Sequence, residues 1–186
     1  LLHAVAVVKA GVFAILKITI YIFGLDLLSG TGAATPILWV ATITIIGASL
    51  IALRQDNLKR RLAYSTISQL GFMVASIGCG ALGLVAGLFH MVTHAFFKSL
   101  LFMCSGSVIH AVHTNEMPLM GGLWRKIPYT AFTMLIGCLA IAGASIPFVI
   151  GLSGYYSKDA ILEQAYSFMQ SNNGNPVSII FRIAAG

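Results

Sequence analysis

The chain has 186 residues, of which 58% are hydrophobic and only 9% charged, with a mean hydropathy of +0.92. A soluble domain carries about 25% charged residues, so an ordinary soluble fold is excluded. What remains is an all-α, polytopic transmembrane helix bundle. The net charge of +6 does not call for a nucleic-acid partner. Arg54, Lys59, Arg60 and Arg61 crowd into one short connection, and Arg125 with Lys126 into another, the pattern of basic residues held on one membrane face. Cys79, Cys104 and Cys138 stand singly in apolar runs with no C-x-x-C. They read as small buried hydrophobes, not as a disulfide or metal framework.

The chain opens Leu-Leu-His in the middle of an apolar run. It carries no basic n-region of a signal peptide and reads as a piece of a longer protein, all of it (1–186) one membrane domain. The first predicted span, Leu1 to Phe23, carries His3, Lys9 and Lys17. Lys9 lies between V-A-V-V and A-G-V-F, too deep to be a helix end. Lys17 reaches an interface by snorkelling. A Gly/Ser/Thr-rich connection, Gly24 to Thr35, leads to an uncharged span from Pro36 to Leu53.

The basic connection R-Q-D-N-L-K-R-R follows. The next predicted span, Leu62 to Cys79, has a polar first half of Tyr64, Ser65, Thr66, Ser68 and Gln69. Such groups hydrogen-bond to neighbouring helices or line a wet cavity.

The longest span, Leu82 to Ala111, organises the rest. His90, His94 and Lys98 recur at i, i+4 and i+8, one stripe on a helix with a turn between members. A lysine at the bilayer centre costs about 2.5–3.5 kcal/mol even on the lenient insertion scale. Ionisable residues at that depth mark functional sites by default. Histidines at i, i+4 also chelate zinc, but no acid or thiol stands nearby to complete a site. His110 and His113 fall at the helix end, where the sequence assigns them no role.

A last predicted span starts near Pro128 and is interrupted in G-A-S-I-P-F-V-I-G-L-S-G, where Pro147, Gly151 and Gly154 break the run. Y-Y-S-K-D follows, then a second half-helix from Ala160 to Met169 and a polar turn at Ser171 to Pro176. A membrane helix broken beside a Lys158–Asp159 pair is expected to line a site. The count is about five spans, one of them discontinuous. The two basic connections are two crossings apart and share a side, expected to be the cytoplasm or the matrix.

T-H-A-F-F-K-S-L-L-F-M-C-S-G-S-V-I-H, from Thr93 to His110, resembles the signature of the antiporter-like subunits of respiratory complex I, of the subunit L or NADH dehydrogenase subunit 5 type. L-L-H-A at Leu1, L-K-R-R-L-A-Y-S-T-I-S-Q-L-G at Leu58, M-G-G-L at Met120 and Y-S-K-D-A-I-L at Tyr156 agree, in the right order and over nearly the whole chain. The resemblance implies about fourteen helices in two inverted five-helix repeats, of which this stretch holds most of the second. It also implies a mid-membrane proton channel in which His3, Lys59, His90, His94, Lys98 and Lys158 match channel positions. Lys9 departs from subunit 5 types, which usually carry threonine there. It is more like the sibling subunits and the D-type subunits of multisubunit cation/proton antiporters. The break before Lys158 is also longer than the usual P-P-x-x-G-F-x-S-K-D.

The expected function is therefore proton translocation coupled to quinone reduction elsewhere in the complex. His94 is expected to link Lys98 to the Lys59 end, and Lys158 to be the terminal group towards the non-basic face. Lys59, followed by two arginines, is also explained by topology alone, and Lys158 by an interfacial pair with Asp159. Partners are the other membrane subunits, the lipid of a bacterial plasma membrane or mitochondrial inner membrane, protons and, as an alternative, Na+. No cofactor is expected in this chain; NADH, FMN, iron–sulfur clusters and quinone belong to partner subunits. The competing readings are a subunit of an Na+(K+)/H+ antiporter or membrane-bound hydrogenase, and a scaffold whose charges only fasten helices.

Overall fold

The structure, a computed structural model, describes residues 6–24, 34–146 and 150–171. Its helices are α1 (Val8–Ile18, continued by a π-turn Thr19–Phe23), α2 (Ala34–Leu53), α3 (Leu58–Gly78), α4 (Ala81–Val112), α5 (Leu123–Lys126), α6 (Pro128–Ala142) and α7 (Ser153–Ser171). Two short antiparallel strands, β1 (Ser145–Ile146) and β2 (Ile150–Gly151), pair with each other between α6 and α7.

Burial is inverted relative to a soluble protein. Lys98, His90 and His94 are 0% exposed, whereas Phe96 is 75% and Val40 66% exposed. Apolar side chains outside and ionisable ones inside suit a lipid surround. Helix α4, at 32 residues, is about 48 Å long and outruns a hydrocarbon core of about 30 Å.

Small residues bring the helices close, as packing in lipid requires. A Cβ on Gly71 would fall 2.7 Å from Ile45 of α2, and one on Gly78 3.0 Å from Leu38. Across the next interface, Gly83 and Gly87 of α4 lie against Ser76 of α3 so tightly that a Cβ on either would collide with it. Leu38, Ala41, Ile45, Phe72, Ala75, Ala86, Ile161 and Ala165 form the main apolar cluster, tying α2, α3, α4 and α7. Leu16 of α1 joins a smaller one with Ile77 and Leu84.

Three boundaries differ from the sequence reading. Helix α3 starts at Leu58 instead of Leu62, because the Asn57 side chain accepts from the Arg60 N–H at 3.2 Å as an N-cap. Lys59, Arg60 and Arg61 are thus in its first turn and not in a loop. Helix α6 ends at Gly143, whose φ of +75° closes it with a left-handed cap; Pro147 lies outside the described residues. Helix α7 begins at Ser153, so Lys158 sits in its second turn, well before the expected start at Ala160.

The discontinuous span is visible in how α6 and α7 divide α4 between them. Thr133 meets Cys104 at 3.3 Å and Gly137 lies against Leu101, so α6 covers the C-terminal half of α4. Ser157 meets His90 and Thr93, while Ile161 and Ala165 cluster with Ala86, so α7 covers the N-terminal half. Both pieces run antiparallel to α4, and the His94–Lys98 stretch lies between the parts of α4 that they contact.

The basic connections lie together. The Leu58 N–H donates to Asn115 O and the Met117 N–H to Asp56 O, both at 2.9 Å. The Asn57 amide donates to the Glu116 carboxylate at 3.3 Å.

Candidate functional site

The α4 stripe is realised. His90 and His94 have ring centroids 6.0 Å apart, and the Phe97 edge closes on His94 at 5.2 Å. One turn on, the Lys98 ammonium donates to the Ser65 hydroxyl of α3. His90 is held at both nitrogens: Nε2 lies 2.9 Å from Gln69 Oε1 of α3, and Nδ1 lies 2.9 Å from Ser157 Oγ of α7. Thr93 donates to Ser157 Oγ at 3.2 Å or to His90 O at 3.1 Å. Both nitrogens of His94 are buried without a hydrogen-bond partner.

Lys158 is half-buried, and its ammonium donates to Ile141 O at 2.8 Å. That carbonyl belongs to the last turn of α6, the negative end of its dipole. Lys9 of α1 is buried with no partner on its Nζ. It lines a cleft of about 460 Å³ with Ala6, Ala10, Phe13, Met91, Val92, Ala95 and Phe96. Lys17 is exposed and stacks over Phe13 at 5.4 Å, a surface role.

A second cleft, of about 330 Å³, is lined by Ser49, Ala52, Leu53, Arg61, Ser65, Ser68, Gln69 and Ile141. At its α3 N-terminal end the Arg61 guanidinium donates to Gln55 O and Leu53 O, at 3.2 and 3.1 Å. Further in, Ser49 and Ser68 hydroxyls meet at 2.8 Å. Three lining residues touch the ionisable groups directly: Ser65 holds Lys98, Gln69 holds His90, and Ile141 O holds Lys158. The volume admits several waters, and the hydroxyls and amide give them partners.

Two positions differ from expectation. Lys59 is exposed at the start of α3, about 9 Å along the helix from Ser65. Because α3 runs antiparallel to α4, Lys98 stands between His94 and the Lys59 end; His94 instead lies between His90 and Lys98. His3 lies outside the described residues. Ser157, Thr93 and the pairing role of Gln69 were not assigned from sequence. The signal available was weak: Ser65 and Gln69 are four apart on one stripe, and Ser157 directly precedes Lys158.

Scaffold charges fasten helices by pairing with acids. Among the described residues the buried lysines do otherwise: Lys98 rests on a hydroxyl, Lys158 on a carbonyl, and Lys9 on nothing.

Comparison with known proteins agrees with this architecture. F420H2 dehydrogenase subunit L of Methanosarcina mazei is 43% identical over 190 residues, covering 100% of this chain and 27% of that protein. NADH-quinone oxidoreductase subunit L of Rhodobacter capsulatus is 41% identical over 182 residues, covering 94% of this chain and 24% of that one. The solved Mrp complex from a Dietzia species superposes with a TM-score of 0.75 at 29% identity, over 99% of this chain and 20% of that one. The chain thus spans about a quarter of the length of the curated relatives it matches. Residues 1–177 match the family described as NADH:quinone oxidoreductase/Mrp antiporter, transmembrane. The chain is an integral membrane protein and belongs to that family.

Proposed function

We propose that this chain is the second-repeat part of a proton-translocating, antiporter-like subunit of an NADH:quinone oxidoreductase-type respiratory complex. The observation that carries the reading is the wholly buried Lys98 in one stripe with His94 and His90, reached from the second cleft through Ser65 and Gln69. Protons pass from cleft waters to Lys98, and along His94 and His90 towards Ser157 and Lys158. Lys9 and His3 extend the path towards the first repeat, and Lys59 collects protons at the mouth.

Each residue type suits its place. A neutral imidazole accepts on one nitrogen and donates from the other, so it passes a proton without carrying net charge through lipid. A lysine in apolar surroundings exchanges its proton, which an arginine does not. A conformational or electrostatic shift from a neighbouring subunit then biases which site holds the proton.

The basic connections are assigned to the cytoplasmic or matrix side. Partners are the other membrane subunits and the bilayer. NADH, FMN, iron–sulfur clusters and quinone are assigned to partner subunits. Relatives named for NADH and for F420H2 match this same stretch, which supports leaving the electron donor to another chain. A subunit of an Na+(K+)/H+ antiporter is the second reading, favoured by the buried lysine at position 9.

The test is to purify the full-length subunit with its complex and reconstitute it in liposomes. Acidification tied to quinone reduction, insensitive to Na+ and K+, supports the first reading. Na+- or K+-dependent proton movement without an electron donor supports the second, and neither activity overturns both.

A further inference from the structure

The hydrogen bonds around His90 admit two complete arrangements, and both use only atoms already in contact. In the first, the Nε2–H donates to Gln69 Oε1 at 2.9 Å. The Ser157 hydroxyl then donates to Nδ1 at 2.9 Å, and Thr93 donates to Ser157 Oγ at 3.2 Å. In the second, the Gln69 carboxamide is turned over and its N–H donates to Nε2. The Nδ1–H then donates to Ser157 Oγ, and the Ser157 hydroxyl turns to Ser153 O at 3.1 Å or Gly154 O at 3.4 Å. Thr93 is satisfied in either case, by Ser157 Oγ or by His90 O at 3.1 Å.

Such double satisfaction matters because the His90 ring and the Ser157 hydroxyl are sealed from the cleft that Gln69 lines. His90 and Ser157 are 0% exposed, and Gln69 is 7% exposed. A buried donor or acceptor left without a partner loses the full desolvation cost of that group. A network with only one satisfied arrangement would therefore lock His90 in one tautomer. A relay imidazole must instead present a lone pair at one moment and a proton at the next.

We propose that Gln69 and Ser157 are positioning residues for His90, whose paired reorientation keeps the imidazole fully hydrogen-bonded in either tautomer, so that proton passage traps it in neither. The proposal rests on the proton-translocation reading and adds the parts that accommodate both tautomers of His90. In one cycle a proton arrives at one nitrogen and another leaves from the opposite nitrogen. That transfer has itself turned one tautomer into the other, and Ser157 and Gln69 turn over to match it; the opposite change again needs a proton delivered to one nitrogen and one taken from the other, and the same turnover serves it. The Ser157 hydroxyl is the switch on the α7 side, in the second turn of that helix and next in sequence to Lys158.

The test uses the full-length subunit in its complex, reconstituted in liposomes, with proton uptake and the driving reaction measured side by side. Ser157→Ala removes the hydroxyl and should slow proton translocation roughly ten-fold, the size of effect an orienting partner has on the group it holds, with assembly intact. Ser157→Thr restores a hydroxyl and should recover most of the rate, which a purely space-filling role does not predict. Lys98→Ala serves as the reference. If Lys98→Ala stops translocation while Ser157→Ala leaves it at the wild-type rate, the positioning role is wrong and the relay stands. If Ser157→Thr assembles but is as slow as Ser157→Ala, the hydroxyl is not the operative group and the proposal falls. If Lys98→Ala itself translocates normally, the relay reading fails.

Discussion

Ser65 and Lys98 meet across the α3–α4 interface, the hydroxyl of one helix receiving the ammonium of the other at the wall of the second cleft. Their contact ties the one fully buried lysine on α4 to the side of the protein that carries Arg54, Lys59, Arg60 and Arg61. Lys98→Ala is predicted to cut proton translocation by roughly 10²-fold, the usual share of a positioned proton-transfer group, while the complex assembles. Lys98→Arg is predicted to fail as well, since a guanidinium keeps its proton. Full pumping by the arginine variant would show that Lys98 does not titrate.

His94 has no hydrogen-bond partner on either nitrogen and lies between His90 and Lys98. His94→Ala opens a space that water can fill, so translocation should fall several-fold, less than on loss of Lys98. Chelators should leave the wild type unaffected. A chelator-sensitive activity restored by zinc would replace the relay with a metal site.

Gly154 approaches the end of α6 so closely that a Cβ there would strike Ala140 O. Gly154→Ala should destabilise the junction of the two half-helices by about 1–3 kcal/mol. Gly106 in α4 has nothing within 4 Å of its Cβ position, and Gly106→Ala should be neutral or slightly stabilising. Melting temperatures of the two purified variants decide the matter; equal values would mean that the close approach is relieved at no cost.

His113 closes α4 with φ of +58°, the left-handed region. His113→Gly should relieve strain on the order of 1 kcal/mol and raise the melting temperature of the purified subunit. A fall in stability would show that the ring contact with His110, at 6.1 Å, outweighs the backbone strain.

The sequence made α4 plain because a mostly apolar run of thirty residues, with His90, His94 and Lys98 on one stripe, has few other readings. The start of α3 was hidden by its charge. Three basic residues in a first turn oppose the helix dipole and look like loop, and only the Asn57 cap makes the turn helical. The start of α7 was hidden by Gly154, which serves close packing and does not break the helix. Gln69 and Ser157 were unreadable as partners of His90 for another reason. They come from helices 21 and 67 residues away in the chain, and only the antiparallel stacking of α3 and the broken span on α4 brings them to one ring.

The stitched connections at the basic end have a mechanical consequence. With Leu58 bound to Asn115, Met117 to Asp56 and Asn57 to Glu116, α3 and α4 are clamped together at one end, and the two-residue link from Gly78 to Ala81 joins them at the other. The pair is therefore held at both ends, and the Ser65–Lys98 contact lies between two fixed points. The Leu58 and Met117 amide protons should accordingly outlast those of other connecting residues in hydrogen exchange.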